Sequence, residues 1–286
     1  MRHTQVIVRP AEARDAQDID EFFRRVRRRY LTFGGEDWPS ILRRGHVFVA
    51  QTGPLLWGVL AVVPKYRGWG EIRALGLIDG WHARTGVEML YYKAHPTLVE
   101  MGITGLYIVL SEGWLQGPLD GLGFVTRERV ATYLRHAHSV PPIPATPADI
   151  RLVRLDQIAQ VARLDRMAFA PRWVYTEREL AHMLVTGSRL TAAFVEDTLV
   201  GYASVQILDD VGHISRLAVH PRWQGQGIGR QLLLEGMHYL QRAGVSRMSL
   251  NTQVENTRAV RLYESLHFRR FGRLIPVLER ELEGLR

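Results

Sequence analysis

The sequence has no cysteine. That excludes disulfides, thiolate metal ligands and a cysteine nucleophile, so covalent catalysis would need another group. It also has no apolar run long enough to cross a bilayer as a helix; the longest, Leu55 to Val63, reads as a buried strand. Met1 to Pro10 carries polar and charged residues where a secretory signal needs an apolar stretch, so the expected location is the cytoplasm, with no membrane partner. Lysine is nearly missing. Only Lys65 and Lys93 occur among 37 basic residues. The net charge of +8 and pI of about 10.1 therefore come from arginine. Such a charge suits an acidic partner or a solvated arginine-rich surface. The densest run, Arg24 to Arg29, alternates with Val26 and Tyr30 and reads as the wet face of a helix. No nucleic-acid motif accompanies it, so nucleic acid is not an expected partner.

A length of 286 residues and a hydrophobic content of 46% suit two ordinary domains with proper cores. Ser139 to Asp149, SVPPIPATPAD, holds four prolines in eleven residues. It cannot continue a helix or a central strand and reads as an extended linker. The expected division is 1–138, a linker at 139–149, and 150–286. The halves are also related. Gly102 and the strand after it align with Gly244 and its strand, an offset of 244 − 102 = 142. The same offset pairs Leu75 with Leu217, Leu77 with Val219, Trp81 with Trp223 and Leu90 with Leu232, and a slip of two pairs Phe124 with Phe268. A duplication accounts for this.

Each half reads as a short β segment, a helix, a hairpin, a further strand, an amphipathic helix, a strand, a helix and a last strand. In the second half these fall at about 150–155, 155–169, 190–207, 212–219, 228–243, 247–252, 256–266 and 269–279. The pattern predicts an α/β layered fold: two tandem domains, each a mixed central sheet flanked by helices.

The chemistry concentrates after His213. A strand ends at Val219, His220-Pro221 breaks it, and Gln224-Gly225-Gln226-Gly227-Ile228-Gly229-Arg230 leads into a helix. Ile228, Leu232, Leu233, Met237 and Leu240 share one face of that helix, and Ala243-Gly244 ends it. A glycine-rich turn at a helix N-terminus offers unpaired N–H groups and a partial positive charge, which together suit phosphate. Taken alone, such a turn is better explained by geometry. A second segment, NTRAVRLYESLHF from Asn256, changes that. Asn256 and Tyr263 stand about two helical turns apart, roughly 10 Å, and can line one groove.

The pairing of Gln224, Gly227 and Gly229 with Asn256, Ala259, Tyr263 and Phe268 resembles the GCN5-related N-acetyltransferase (GNAT) family. The resemblance covers the C-terminal half, which is most similar to the ribosomal-protein and protein N-terminal acetyltransferases. The segment from Met167, MAFAPRWVYTERELAHML, resembles their substrate-loop region. The resemblance implies acetyl-CoA as co-substrate and a primary amine as acceptor: a small molecule, a protein N-terminus or a lysine. It implies that Leu217, Ala218 and Val219 hold the pantetheine arm and thioester through backbone groups. It further implies that N–H groups from Gly225 to Arg230 hold the pyrophosphate, that Asn256 hydrogen-bonds the arm or the bound substrate region, and that Tyr263 sits by the sulfur. A phenol is protonated at neutral pH and can donate to a leaving thiolate. The base is less defined. Relatives of the ribosomal-protein type often carry Glu where this chain has Asn251. His213 is a candidate base whose ordinary pKa suits the task, and it also reads as a strand-end histidine. His267 stands where relatives usually have Gly. Trp223 reads as packing, because Trp81 occupies the equivalent place in the other half.

In that other half the motif is lost. Gln224, Gly227, Gly229 and Arg230 become His82, Thr85, Val87 and Glu88. Glu88 would repel phosphate. Residues 1–138 therefore read as a degenerate GNAT-like domain with a scaffold or recognition role. The layout resembles mycothiol synthase and other double acetyltransferase-like proteins. A non-catalytic acyl-CoA-binding sensor or scaffold is the alternative reading.

Overall fold

The computed structural model describes residues 6–32 and 37–282. The first five residues of the polar Met1–Pro10 stretch lie outside them. No helix among the described residues is long and apolar enough to cross a membrane.

The chain forms two compact units, 1–127 with 275–286, and 128–274. They do not divide at the proline-rich segment. In the first unit β1 (Val6–Pro10), α1 (Ala16–Arg25), β2 (Arg28–Leu31), α2 (Trp38–Arg44), β3 (His46–Thr52), β4 (Leu55–Pro64), β5 (Trp69–Leu77), α3 (Ala83–Glu100), β6 (Gly105–Val109) and α4 (Gln116–Gly121) follow in order. Next come β7 (Val125–His136), β8 (Asp149–Leu152), α5 (Ile158–Ala168), α6 (Glu177–Val185), β9 (Arg189–Val195), β10 (Thr198–Leu208), β11 (Val211–Val219), α7 (Ile228–Arg242), β12 (Arg247–Gln253), α8 (Thr257–Ser265) and β13 (Arg269–Glu281).

Each unit is completed by a strand from the other half of the sequence. In the second unit the order is β7-β12-β11-β10-β9-β8, with β7 antiparallel to β12 from Val130 to His136. In the first it is β1-β3-β4-β5-β6-β13, with Val277 to Glu281 of β13 antiparallel to β6. The sequence shows both as strands, but strand periodicity carries no partner choice. The mixed sheets flanked by helices are the expected architecture. The short helices α2 and α6 are additional to it. The arginine run also differs from expectation. α1 ends at Arg25, Val26 turns into the core at 6% exposed, and Arg28 and Arg29 lie on β2, so the run is not one wet helical face.

In the second unit α7 lies on the sheet through its predicted face. Ile228, Leu232, Leu233, Met237 and Leu240 are all buried, each contributing ~1.5–3 kcal/mol. The approach is close enough to need glycine. A Cβ on Gly212 would stand 2.6 Å from Leu240, and one on Gly236 2.8 Å from Val205. The proline-rich segment is extended, but it is anchored within this unit. Pro141 accepts from His238 Nε2 at 2.9 Å, Gln231 Nε2 donates to the Ala148 carbonyl at 3.1 Å, and Thr146 bonds Gln231.

Candidate functional site

The parallel strands β11 and β12 pair only from Val211–Arg247 to Ile214–Leu250. Both run on, β11 to Val219 and β12 to Gln253, so they fork. Past Ile214 no strand among the described residues pairs with β11 on that side; its other edge stays bonded to β10, up to Val219 opposite Gly201. A bulge opposite Ser204 and Val205 sets the aim of the side chains here. Gly212 and Ile214 face α7 before it, whereas Arg216 and Ala218 face α5 after it. Leu217, Ala218 and Val219 thus lie on an open edge, where extended backbone can meet a ligand.

The cradle stands at the end of that edge. Gly225 (φ 85°) and Gly227 (φ 82°) take the left-handed conformation that glycine adopts without strain. Gly229 does not. Beside Gly225 a Cβ would meet nothing within 4 Å. The first α7 amide with an internal acceptor is Gln231, bonded to the Gly227 carbonyl at 2.9 Å. The N–H groups from Gly225 to Arg230 have no acceptor among the described residues, and Gly227 provides no side-chain cap. Unbonded amides over open space fit a phosphate group.

The side chains around the cradle brace it. Gln224 Nε2 donates to the Val219 carbonyl at 3.0 Å, and Gln224 Oε1 accepts from Arg258 of α8. Arg230 Nη1 reaches Ser265 Oγ at 2.9 Å. Trp223 packs against the Ile228–Leu232 cluster. Asn256 caps α8, its Oδ1 accepting from the Ala259 N–H at 3.2 Å, which leaves its amide NH₂ for a ligand.

Tyr263 is 7% exposed, its ring 6.3 Å from Phe268 and 6.4 Å from Tyr133, centroid to centroid. Its hydroxyl has no hydrogen-bond partner among the described residues. Burial pushes its pKa up to about 12, so it stays protonated at neutral pH. His213 stands in register with Ser249 at the closed base of the fork, its Nδ1 2.9 Å from Ser249 Oγ. Burial holds its pKa below the usual value, keeping the imidazole neutral at pH 7. Five residues of strand, about 16 Å, separate it from Ala218. Asn251 is engaged by Thr132, whose hydroxyl donates to Oδ1 at 2.8 Å. The turn at His267 is retained despite the missing glycine, because His267 itself adopts φ 63°.

One cluster escapes the sequence reading. Asp165, fully buried on α5, accepts from Arg216 Nε at 2.9 Å and Nη2 at 2.7 Å, from the Tyr202 hydroxyl at 2.5 Å and from the Tyr175 N–H at 2.8 Å. Arg216 Nη2 also donates to the Trp173 carbonyl at 2.6 Å, and the guanidinium lies 3.4 Å from the Phe169 ring centroid and 4.1 Å from that of Tyr175. Burial alone would lower the Arg216 pKa; Tyr202 and Asp165 outweigh it and hold it above the ordinary value. Glu128 of β7 accepts from Arg172 and, at 3.0 Å, from Trp173 Nε1. The segment 169–175 is thereby fixed over the sheet beside the fork. A charge on the apolar stripe of α5 was its only sequence signal.

Residues 155–268 match the Acetyltransferase (GNAT) family. The whole chain has the fold of a tandem GNAT protein. It superposes over 99% of its length on all of a tandem GNAT protein from the clavulanic acid biosynthesis pathway, TM-score 0.68 at 15% identity. It superposes over 97% on 71% of a GCN5-related N-acetyltransferase from Kribbella flavida, TM-score 0.72 at 12% identity. At these identities the likeness is one of fold. Among curated relatives, a mycothiol acetyltransferase of Nocardiopsis dassonvillei is 45% identical over 60 residues, which is 21% of this chain and 18% of that protein. One of Saccharopolyspora erythraea is 34% identical over 83 residues, 29% of this chain and 27% of that protein. The matched stretches thus span well under a third of those relatives.

Proposed function

We propose that the chain is an acetyl-CoA-dependent N-acetyltransferase, with its reaction centre in the second unit. The observation that carries this is the fork of β11 and β12 opening beside six unbonded amides, Gly225 to Arg230. Those amides bind the pyrophosphate, and the free edge at Leu217, Ala218 and Val219 holds the pantetheine arm. Acetyl-CoA, when bound, supplies the activated acetyl group. An edge N–H stabilises charge developing on the thioester oxygen. The acceptor amine attacks directly in a ternary complex, forming the C–N bond as the C–S bond breaks, and the proton held on Tyr263 goes to the departing sulfur. The proton leaving the amine is relayed through water to His213, which lies too far from Ala218 to take it directly. Asn256 steadies the arm through its free NH₂. The first unit, with His82, Thr85, Val87 and Glu88 at the positions of the glycine turn, serves as scaffold or recognition domain.

The acceptor is a primary amine. The name of the mycothiol acetyltransferase relatives favours a small molecule over a protein N-terminus or lysine. The unpartnered Tyr263 hydroxyl favours an enzyme over an acyl-CoA sensor. Calorimetric titration with acetyl-CoA, followed by an amine screen read by CoA release, tests the reading. Binding at one site with amine-dependent release is expected; no binding, or binding with no release on any amine, overturns it.

A further inference from the structure

The first unit contains the same fork. β5 and β6 pair in parallel only from Trp69–Gly105 to Glu71–Tyr107, and each pair lies 142 residues before its counterpart in β11 and β12. The bulge repeats as well, between Ala61 and Val62 of β4 as between Ser204 and Val205 of β10. Yet this fork is closed. β2 pairs antiparallel with the free edge of β5, Arg28 opposite Leu77 to Leu31 opposite Ala74. Tyr30, 1% exposed, crosses the gap and donates its hydroxyl to the Val109 carbonyl at the end of β6, at 3.1 Å. Residues 74–77 correspond to 216–219, the edge left open in the second unit.

The strand that closes it corresponds to the segment fixed over the sheet in the second unit, since Arg28–Leu31 lies 142 residues before 170–173. What differs is what that segment can hold on to. Asp165 corresponds to Phe23 and Arg216 to Ala74 at the same offset. Tyr202 corresponds to Val59 by register, since Tyr202 faces Ala218 as Val59 faces Gly76. Phe23, Val59 and Ala74 lie in one apolar cluster, with Phe23 stacked on Trp38 at 5.1 Å. An apolar cluster offers nothing to the carbonyl and N–H groups of the segment that follows α1. Those groups must be satisfied elsewhere, and the β5 edge does so. In the second unit Asp165 takes the Tyr175 N–H and Arg216 the Trp173 carbonyl, so the backbone is satisfied above the sheet face. Pro171, which has no N–H to give a ladder, adds to the bias.

We propose that Asp165 and Arg216 are positioning residues. Their buried ion pair holds segment 169–175 off the β11 edge and so keeps the second fork open to ligand, while the first unit, lacking the pair, closes its own fork with β2. Assigning acetyl-CoA as the ligand rests on the function proposed above; the state of the edge does not.

The test uses the full chain and two variants. Asp165→Leu/Arg216→Met replaces the pair by apolar side chains of similar size, an exchange that buried ion pairs commonly tolerate without loss of stability. Arg216→Lys keeps the charge without the planar fork. Hydrogen exchange of the ligand-free protein is followed at 169–175 and 216–219. In the wild type the Tyr175 amide is expected among the protected ones. In the double variant its exchange rises at least tenfold, and in Arg216→Lys by a lesser factor. The KM for acetyl-CoA rises at least tenfold in the double variant, with a smaller change in kcat. A protein that is only less folded loses kcat in proportion to its folded fraction and keeps its KM. Wild-type exchange at Tyr175 in a folded double variant overturns the proposal, as does an unchanged KM. If the double variant does not fold, Arg216→Lys decides by the same two readings. Failure of the wild type to bind acetyl-CoA would overturn the functional reading alone, because exchange reads the edge without ligand.

Discussion

Gln224 donates from Nε2 to the carbonyl of Val219 at 3.0 Å, tying the glycine turn to the last residue of the open strand. This bond fixes the distance between the two parts of the site that must grip one ligand, the edge and the cradle. Gln224→Ala is therefore expected to weaken acetyl-CoA binding rather than the fold. Loss of the bond to Val219, ~1 kcal/mol, corresponds to roughly a fivefold rise in Kd, and loss of the exposed Arg258 bond to Gln224 Oε1 adds to it. Calorimetry at matched Tm checks it, and an unchanged Kd would show the cradle to be held by other contacts.

Gly227→Glu tests the cradle itself. At φ 82° any side chain is strained, by about 1–2 kcal/mol, and a carboxylate here faces the place where phosphate must lie. Acetyl-CoA binding should disappear while far-UV circular dichroism stays native. Gly227→Ala carries the strain without the charge and should bind more weakly but measurably. Equal affinity in the wild type and Gly227→Glu would remove phosphate from this turn.

His267→Gly is expected to stabilise the protein. His267 holds φ 63° in an exposed turn before the fully buried Phe268. Glycine takes that conformation freely, as Gly123 does at φ 78° before Phe124 in the first unit. A gain of up to ~1 kcal/mol in denaturant unfolding is expected. A loss would mean that the imidazole makes contacts worth more than the strain.

Much of this site was legible because its parts are local. Two glycines, a helix with an apolar stripe and an asparagine seven residues before a tyrosine are patterns within one element. The fork, the strand exchange and the clamp are not. β7 and β13 read alike as strands, and nothing in their alternation says which neighbour they take. Arg216 and Asp165 are 51 residues apart, and no pattern within one element joins them. Asp165 nonetheless stands on the same helical stripe as Val161 and Ala162, both fully buried, and a carboxylate there needs a partner. α6 was also readable, since Thr176 and Glu179 form a capping box.

His213 gives the pH dependence a sign. Burial lowers its pKa below 6.5, so the neutral form able to accept a proton dominates at pH 7. If it serves the amine, kcat/KM rises with pH through that lowered value, and His213→Gln removes the rising limb. Stability moves the same way. The unfolded histidine takes up a proton at higher pH than the folded one, so stability falls as pH drops through 6.5 towards the folded pKa. His46 and His95 are lowered too, so the comparison is between wild type and His213→Gln. Identical pH profiles for rate would leave His213 a packing residue of the Ser249 pair.

Tyr263→Phe separates chemistry from binding. The ring is packed against Phe268 and Tyr133, and phenylalanine preserves that packing, so the fold and the acetyl-CoA affinity should change little. Among the described residues the hydroxyl has no hydrogen bond to lose. Its removal therefore costs nothing in the resting protein and is felt only where a proton must be supplied to sulfur. The expected signature is a fall in kcat of on the order of 10²- to 10⁴-fold with KM for acetyl-CoA nearly unchanged. With a pKa of about 12, Tyr263 itself imposes no loss of rate on the alkaline side below about pH 10. Matched rates for wild type and variant, on whichever amine supports turnover, would return Tyr263 to a packing role and leave the departing thiolate to water. A variant that also loses acetyl-CoA affinity would place the hydroxyl in binding, which calorimetry beside the rate measurement distinguishes.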